Sequence, residues 1–308
     1  MISLLQSLIT TLLTLAFVLG NLANGFIALT NCIDWVKRQK ISSVDTILMA
    51  LAVSRIGLLW VIAINWYLVL FNSFSYRLEA RAIDIAWTVS NHFSTWLATC
   101  LSIFYLLKIA NFSNLVFLHL KWRVERLVLV IMLGTLVILG FQLAVTSREE
   151  NIWKNEYEGN MTLKTKSHDM EHFSSLAVST LAFCLPFTMS LTSLLLLIFS
   201  LRKHLKKMQL NGRRPQDPRI KIHVKTMQTM ISFLLLLAIY FLSLIIASWC
   251  STMLQKRWTF TLYHACGLIY PSSHSFILIL VNQKLRQAFL SGLWQLRCSR
   301  KERKPSTP

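Results

Sequence analysis

The sequence predicts an all-α membrane protein, a bundle of seven transmembrane helices, and two observations support this prediction. Hydrophobic residues make up 54% of the 308-residue chain and Asp, Glu, Lys and Arg only 15%, whereas soluble domains contain roughly 25% charged residues. Seven long stretches also lack these charges almost entirely. Lipid is therefore the expected solvent for most of the chain, which excludes a soluble enzyme, a disordered chain and a collagen-like chain.

Each of the seven stretches can supply the ~20 apolar residues that an α-helix needs to cross the hydrocarbon core. A helix satisfies its own backbone amides, which find no water there. The strands of a β-barrel would instead alternate in polarity over ~10 residues, and the apolar run at 191–198 does not alternate. The predicted helices, within a single domain and followed by a tail at 284–308, cover approximately 2–30, 46–71, 85–107, 127–147, 174–201, 228–251 and 259–283.

The first stretch has a signal peptide as its alternative interpretation. It lacks a basic segment before its apolar part, and it is about twice as long as the apolar core of a usual signal peptide. We therefore expect it to be retained as the first transmembrane helix.

The distribution of lysine and arginine predicts which side of the membrane each loop faces. Segments 31–45, 108–126, 202–225 and 284–308 hold 23 of the 32 basic residues, and the three loops on the other side hold 8. Because cytoplasmic loops are enriched in Lys and Arg, we expect the first group to be cytoplasmic and the N-terminus to be extracellular. The net charge of +19 is then an inside-positive bias, and no nucleic-acid partner is expected.

Two N-glycosylation sequons test this orientation. Asn160 begins Asn-Met-Thr in a loop that we expect to be extracellular, so it is the predicted glycan acceptor. Asn111 begins Asn-Phe-Ser in a loop that we expect to be cytoplasmic, so it should stay unmodified.

Arg55 is the one charged residue within the predicted spans. It lies about ten residues from the start of its helix, or ~15 Å at the helical rise, which is deep for a side chain that extends to the interface. Charged residues at such depth usually face the bundle interior. We expect Arg55 to join the first, second and seventh helices through Asn24, through Ser273 or Ser275, and through backbone carbonyls.

The outer half of the bundle contains a second group of polar and aromatic residues. Trp87, Asn91 and Thr95 share one face of the third helix, with His92 beside them, and His264 lies at a similar depth on the seventh helix. They predict a mostly apolar pocket that opens outward and contains a few polar anchors. The alternatives are an interfacial belt residue for Trp87 and a residue that joins helices for Asn91.

Basic and apolar residues also recur together on the cytoplasmic side. Beyond 283, Leu285, Phe289, Leu293 and Leu296 follow a helical spacing among basic residues, which predicts a short amphipathic helix beneath the membrane. The inner loop 202–225 carries nine basic residues. Anionic lipid and a cytoplasmic partner both explain this charge.

Four sequence motifs lie at defined places in the predicted helices. They are LAVSR at 51–55, FYLLKIANFS at 104–113, LIFSL at 197–201 and HSFIL at 274–278. These segments resemble the patterns LAxSR, FYxxKIAxFS, LxxSL and HSxxL of the type 2 (bitter) taste receptors, a family of G protein-coupled receptors. The resemblance covers nearly the whole chain, although the D/E-R-Y and N-P-x-x-Y signatures of rhodopsin-like receptors are missing.

The resemblance implies a multi-pass plasma-membrane receptor for small bitter molecules that activates a heterotrimeric G protein of the gustducin type. By similarity, five residues match family positions that line the ligand cavity, namely Trp87, Asn91, His92, Tyr240 and His264. The family motifs also imply structural or switching roles for Arg55, Tyr105, Lys108, His274 and Ser275.

A transporter or channel is the main alternative to a receptor. Such a protein would show paired intramembrane acids and bases or a continuous polar stripe, whereas the predicted spans contain only Arg55. A membrane enzyme has less support, because the sequence shows no nucleophile–base pair and no metal-binding spacing. We therefore expect no catalysis, no cofactor and no metal.

Overall fold

The computed structural model describes residues 2–37, 42–71, 76–158, 165–210, 218–249 and 257–302. Within these ranges the chain forms nine α-helices and no strand. The helices are α1 (Ile2–Val36), α2 (Ser43–Phe71), α3 (Tyr76–Ile109), α4 (Leu115–Trp122), α5 (Val124–Glu158), α6 (Thr165–Leu210), α7 (Pro218–Trp249), α8 (Arg257–Val281) and α9 (Gln283–Glu302).

Seven of the described helices are long and apolar enough to cross a bilayer, which confirms the predicted seven-helix bundle. These helices are α1, α2, α3, α5, α6, α7 and α8. The most enclosed of them is α3, which packs against α2, α5 and α6, and the least enclosed is α5. The polar residues in the middle of α3, such as Asn91, Ser94 and Thr99, therefore lie in the interior of the bundle, where lipid does not reach them.

Several helices extend beyond the apolar stretches that predicted them. The third spanning helix begins at Tyr76 rather than at 85, and α6 continues to Leu210 beyond the predicted 201. A charged residue limits the segment that lipid can cover, but it does not end the helix. The backbone hydrogen bonds of a helix form within the chain and are also made in water. The charges therefore do not mark the ends of the helices.

The short helix α4 occupies a segment that we expected to be a loop. Asn114 caps it, because its side-chain oxygen accepts a hydrogen bond from the backbone N–H of Val116 at 2.9 Å. Such a cap satisfies one of the four N–H groups left without a partner at a helix start. Leu115 and Trp122 are exposed by 84% and 86%, whereas Phe117 and Leu120 pack against the core, so α4 lies at the edge of the helix bundle.

The amphipathic helix predicted after the last span is present as α9. Its first turn is attached to the bundle by Lys284, whose Nζ lies 2.6 Å from Asp34 Oδ2 on α1 and 3.2 Å from Asp45 Oδ2 on α2. The same Nζ donates to Asn31 Oδ1 at 3.0 Å. Partial burial lowers the pKa of Lys284, but the hydrogen bonds and charges of the two carboxylates raise it, and the net pKa lies above its usual value.

We expect Lys284→Met to lower the midpoint of thermal unfolding modestly, because a partly exposed ion pair contributes at most about 1 kcal/mol. A raised pKa means that the contribution of the lysine is complete below its unfolded pKa of about 10.4 and is lost only as the pH rises through the folded value. The deficit should therefore be constant between about pH 6 and pH 9. Arg286→Met, on an exposed neighbouring residue, is the matched control, and an equal deficit there would contradict the prediction.

Candidate functional site

A cavity of about 200 Å³ lies between α2, α3, α7 and α8, in the half of the bundle that we expect to face outward. Its lining combines aromatic rings, aliphatic side chains and a few polar groups. The lining residues are Ile62, Asn65, Asp84, Trp87, Tyr240, Leu244, Tyr263, His264 and Gly267. Such a mostly apolar lining with convergent polar groups is typical of a site for a small molecule.

Helical spacing explains why these residues converge. Asp84 and Trp87 on α3 are three residues apart, as are His264 and Gly267 on α8, so each pair shares one face of its helix. Gly267 also allows α8 to approach α2, because a Cβ atom at this position would lie only 3.2 Å from Ile62 Cδ1. The cavity therefore lies beside the close contact between α2 and α8. Both α3 and α8 direct one face with functional groups toward it.

Asn91 lies next to the cavity but is not among its lining residues. Its Oδ1 accepts a hydrogen bond from the Tyr240 hydroxyl at 2.5 Å, and the Asn91 side chain is 1% exposed. The ring of Tyr240 stacks on Tyr270, with ring centres 4.4 Å apart. Asn91 therefore fixes the orientation of a ring that does line the cavity.

Trp87 and His264 occupy two other sides of the cavity. The Trp87 ring meets Phe183 edge-to-face, with ring centres 6.3 Å apart. His264 Nε2 lies 3.4 Å from Asn65 Nδ2, across the gap between α8 and α2. The Oδ1 atom of Asn65 is buried and has no hydrogen-bond partner among the described residues. Asn65 thus lines the cavity while its Oδ1 atom is buried away from the cavity surface.

The structure does not bring His92 to this cavity. Its side chain is 4% exposed and lies against Phe93 and Trp96, with ring centres 5.9 Å and 6.1 Å away. Adjacent residues of a helix differ by about 100° in direction, so His92 cannot share the face of Asn91. Its position gives the ligand-contact prediction for His92 no support.

Arg55 is fully buried between α1, α2 and α8. Its Nη1 donates to Ser275 Oγ at 3.1 Å, and its Nη2 contacts His274 Nδ1. Ser275 Oγ donates to Asn24 Oδ1 at 2.7 Å, and the guanidinium carbon lies 5.6 Å from the centre of the Tyr270 ring. Three helices thus meet at a cation that has no carboxylate partner in the described part of the chain.

The remaining motif residues lie toward the inner end of the bundle. Tyr105 and His274 line a small apolar cavity of about 30 Å³ together with Phe233. Lys108 is exposed, and its Nζ lies 5.6 Å from the centre of the Phe104 ring. The structure therefore separates these residues from the outer cavity.

Sequence reasoning missed several residues that matter to these two sites. Asn65, Asp84 and Tyr263 line the outer cavity. The family motifs imply a structural or switching role for His274, but its contact with Arg55 beside Ser275 was not predicted. A usable signal existed for Asp84, since it precedes Trp87 by three residues on one helix face. No comparable signal marked Asn65, whose position depends on how α2 packs against α8.

Comparison with known proteins assigns the chain to a family. The family model described as taste receptor protein (TAS2R) matches residues 1–297. The chain belongs to the TAS2R taste receptor family. Taste receptor type 2 member 20 of Gorilla gorilla gorilla is 55% identical over 309 residues, and member 46 of Homo sapiens is 54% identical over 311 residues, each alignment covering the whole of both chains.

Membership of this family settles the choice between the functional classes. The protein is a G protein-coupled receptor of the bitter taste family and a multi-pass protein of the plasma membrane. The relatives are receptors, so the transporter, channel and enzyme alternatives no longer apply. Asn160, the predicted glycan acceptor, lies outside the described residues.

Proposed function

We propose that the outer cavity is the agonist site of this receptor and that it takes small bitter molecules from the extracellular side. The observation that carries this proposal is that the cavity is lined by Trp87, Tyr240 and His264, three residues that match the family positions expected to line the ligand cavity. Trp87 and Tyr240 offer apolar faces, and His264 offers a donor and an acceptor. Asn91 acts through Tyr240.

We further propose that the cytoplasmic face activates a heterotrimeric G protein of the gustducin type. Agonist binding would favour an active arrangement of the bundle by its differential affinity for that state. Arg55 and Ser275 join three helices, and His274 also lines the inner cavity, so this cluster is suited to transmit a rearrangement. We infer that Tyr105 and Lys108 lie toward the cytoplasmic end and that the whole chain forms one receptor domain.

A calcium-release screen tests the proposed function directly. Cells that express this chain with a gustducin-type α subunit would be exposed to a panel of bitter compounds, and matched cells would carry an α subunit unable to couple. We expect at least one compound to trigger calcium release in the first cells alone. Release in both sets, or in neither, would contradict the proposed coupling.

The charge bias leads to a prediction on orientation. We expect Asn160→Gln to abolish an endoglycosidase-sensitive shift in electrophoretic mobility, because the loop that carries this sequon should be extracellular. Asn111→Gln is the matched control, and it should leave the shift unchanged. If Asn111→Gln removed the shift instead, the bundle would have the opposite orientation.

A further inference from the structure

We propose that Tyr270 is a positioning residue that couples the outer cavity to the inner cavity through a stack of four rings. The rings belong to Tyr240, Tyr270, His274 and Phe233, and we call them the ring stack. This inference rests on the proposed agonist site, because it states how a change at that site reaches the cytoplasmic half of the bundle.

The spacing of the four residues along two helices explains why the rings meet. Tyr240 and Phe233 are seven residues apart on α7, so they share a face of that helix at a separation of ~10 Å along its axis. Tyr270 and His274 are four residues apart on α8 and likewise share a face. Because α7 and α8 pack together and are consecutive spanning helices, they run in opposite directions. Tyr240 therefore meets Tyr270, and Phe233 meets His274.

The ring planes are nearly parallel along the whole ring stack. The ring centres of Tyr240 and Tyr270 are 4.4 Å apart, with 10° between the planes. The corresponding values are 5.9 Å and 17° for Tyr270 and His274, and 4.0 Å and 26° for His274 and Phe233. All four side chains are buried, and packed interiors transmit strain. A rotation of one ring must therefore be accommodated by its neighbours.

The two ends of the ring stack belong to different cavities. Tyr240 lines the outer cavity and donates to Asn91, whereas His274 and Phe233 line the inner cavity. Tyr270 is not among the lining residues of either cavity, yet it contacts a ring from each. The path of ring contacts from one cavity to the other therefore passes through Tyr270.

Tyr270 also lies at the weakest point of α8. Pro271 follows it directly, and a proline lacks the N–H that would bond one turn back, so helices tend to kink there. The guanidinium carbon of Arg55 lies 5.6 Å from the centre of the Tyr270 ring, and its Nη2 contacts His274. The cation thus contacts a ring on each side of the proline. Two states that differ in the bend at Pro271 would place Tyr270 differently against Tyr240, so an agonist could favour one of them.

The first test compares variants in the absence of agonist. Tyr270→Phe keeps the ring, Tyr270→Leu keeps only an apolar side chain, and Phe276→Leu removes a 38% exposed ring from the same helix. The measurement is basal GTPγS binding by a gustducin-type G protein, on membranes that hold equal amounts of receptor. We expect Tyr270→Leu to change it at least about twofold, as for one lost ring pair, and the other two variants to stay near the native value. No change in Tyr270→Leu, or an equal change in Tyr270→Phe, would overturn the proposal.

Asn91→Ala tests whether the ring stack carries a change made beside the outer cavity. It removes the acceptor of the Tyr240 hydroxyl, so it should alter basal GTPγS binding as long as position 270 carries an aromatic ring. It should have no further effect in the Tyr270→Leu background, or in Tyr270→Met if the leucine variant does not reach the cell surface. An effect of the same size without the ring would mean that the change travels by another route, and the proposal would be wrong.

Thermal unfolding of the purified receptor tests the ring stack without agonist or G protein. Tyr240→Leu and Phe233→Leu truncate rings two helical turns apart, and the effects of such distant substitutions usually add. We expect the double variant to lower the midpoint less than the sum of the two single shifts, and we expect additive shifts in the Tyr270→Leu background. Additive shifts with Tyr270 present would overturn the inference.

The two kinds of measurement separate this inference from the proposed function. If unfolding were non-additive but the native receptor supported no GTPγS binding, with or without agonist, the proposed G protein would be wrong and the ring stack would stand. If both ring tests gave the expected results while Trp87→Ala left agonist potency normal, only the location of the agonist site would be wrong.

Discussion

Arg55→Ala should lower the amount of receptor at the cell surface or change its basal activity. The response to every agonist should then change by the same factor. The guanidinium donates to Ser275 and contacts His274, and hydrogen bonds to charged groups contribute about 1.5–3 kcal/mol each. Its removal also leaves a cavity between α1, α2 and α8. Cell-surface labelling and calcium release without agonist would measure the two effects.

Val53→Ala provides the matched control on the same helix. Val53 is 58% exposed, two residues before Arg55 on the lipid-facing side of α2, so its truncation should change neither measurement. Ser275→Ala should produce part of the Arg55 effect, because it removes one acceptor and the link to Asn24. A loss confined to one agonist at normal expression would instead place Arg55 in a binding role.

The seven-helix architecture could be predicted from the sequence because the bilayer imposes a strong rule. Uncharged stretches of sufficient length have few alternatives in lipid, and all seven became spanning helices. The helix ends could not be predicted in the same way. Tyr76, where α3 begins, lies within a charged segment, where composition does not distinguish a helix from a loop.

The site was only partly predictable. The depth of a residue can be counted along its helix, but the neighbouring helix that its side chain faces depends on packing. Trp87 and His264 have similar depth and do face one cavity. His92 has nearly the same depth as Asn91 and points elsewhere, a difference that the helical period alone could have shown. Asn65 carries no such signal, since its role depends on the contact between α2 and α8.

The agonist site itself provides the prediction with the most direct functional consequence. Trp87→Ala and Asn91→Ala should each weaken agonist potency by about five- to a hundredfold, as expected for about 1–3 kcal/mol from a lost buried partner. Trp87 loses apolar and ring contacts with the ligand. Asn91→Ala deprives the buried Tyr240 hydroxyl of its acceptor. Substitutions of His264 should change which agonists act, because this side chain is a donor and an acceptor in the lining.

The dependence of Asn91 on Tyr240 makes the prediction sharper. If Asn91 acts by orienting the ring, Tyr240→Phe should reproduce much of the Asn91→Ala loss, and the double variant should be little worse than either single one. Trp60→Ala, at a 53% exposed tryptophan of α2, controls for the loss of a large ring and should keep normal potency. All variants must be compared at equal cell-surface levels. Normal potency in both the Trp87 and Asn91 variants across several agonists would place the agonist site outside this cavity.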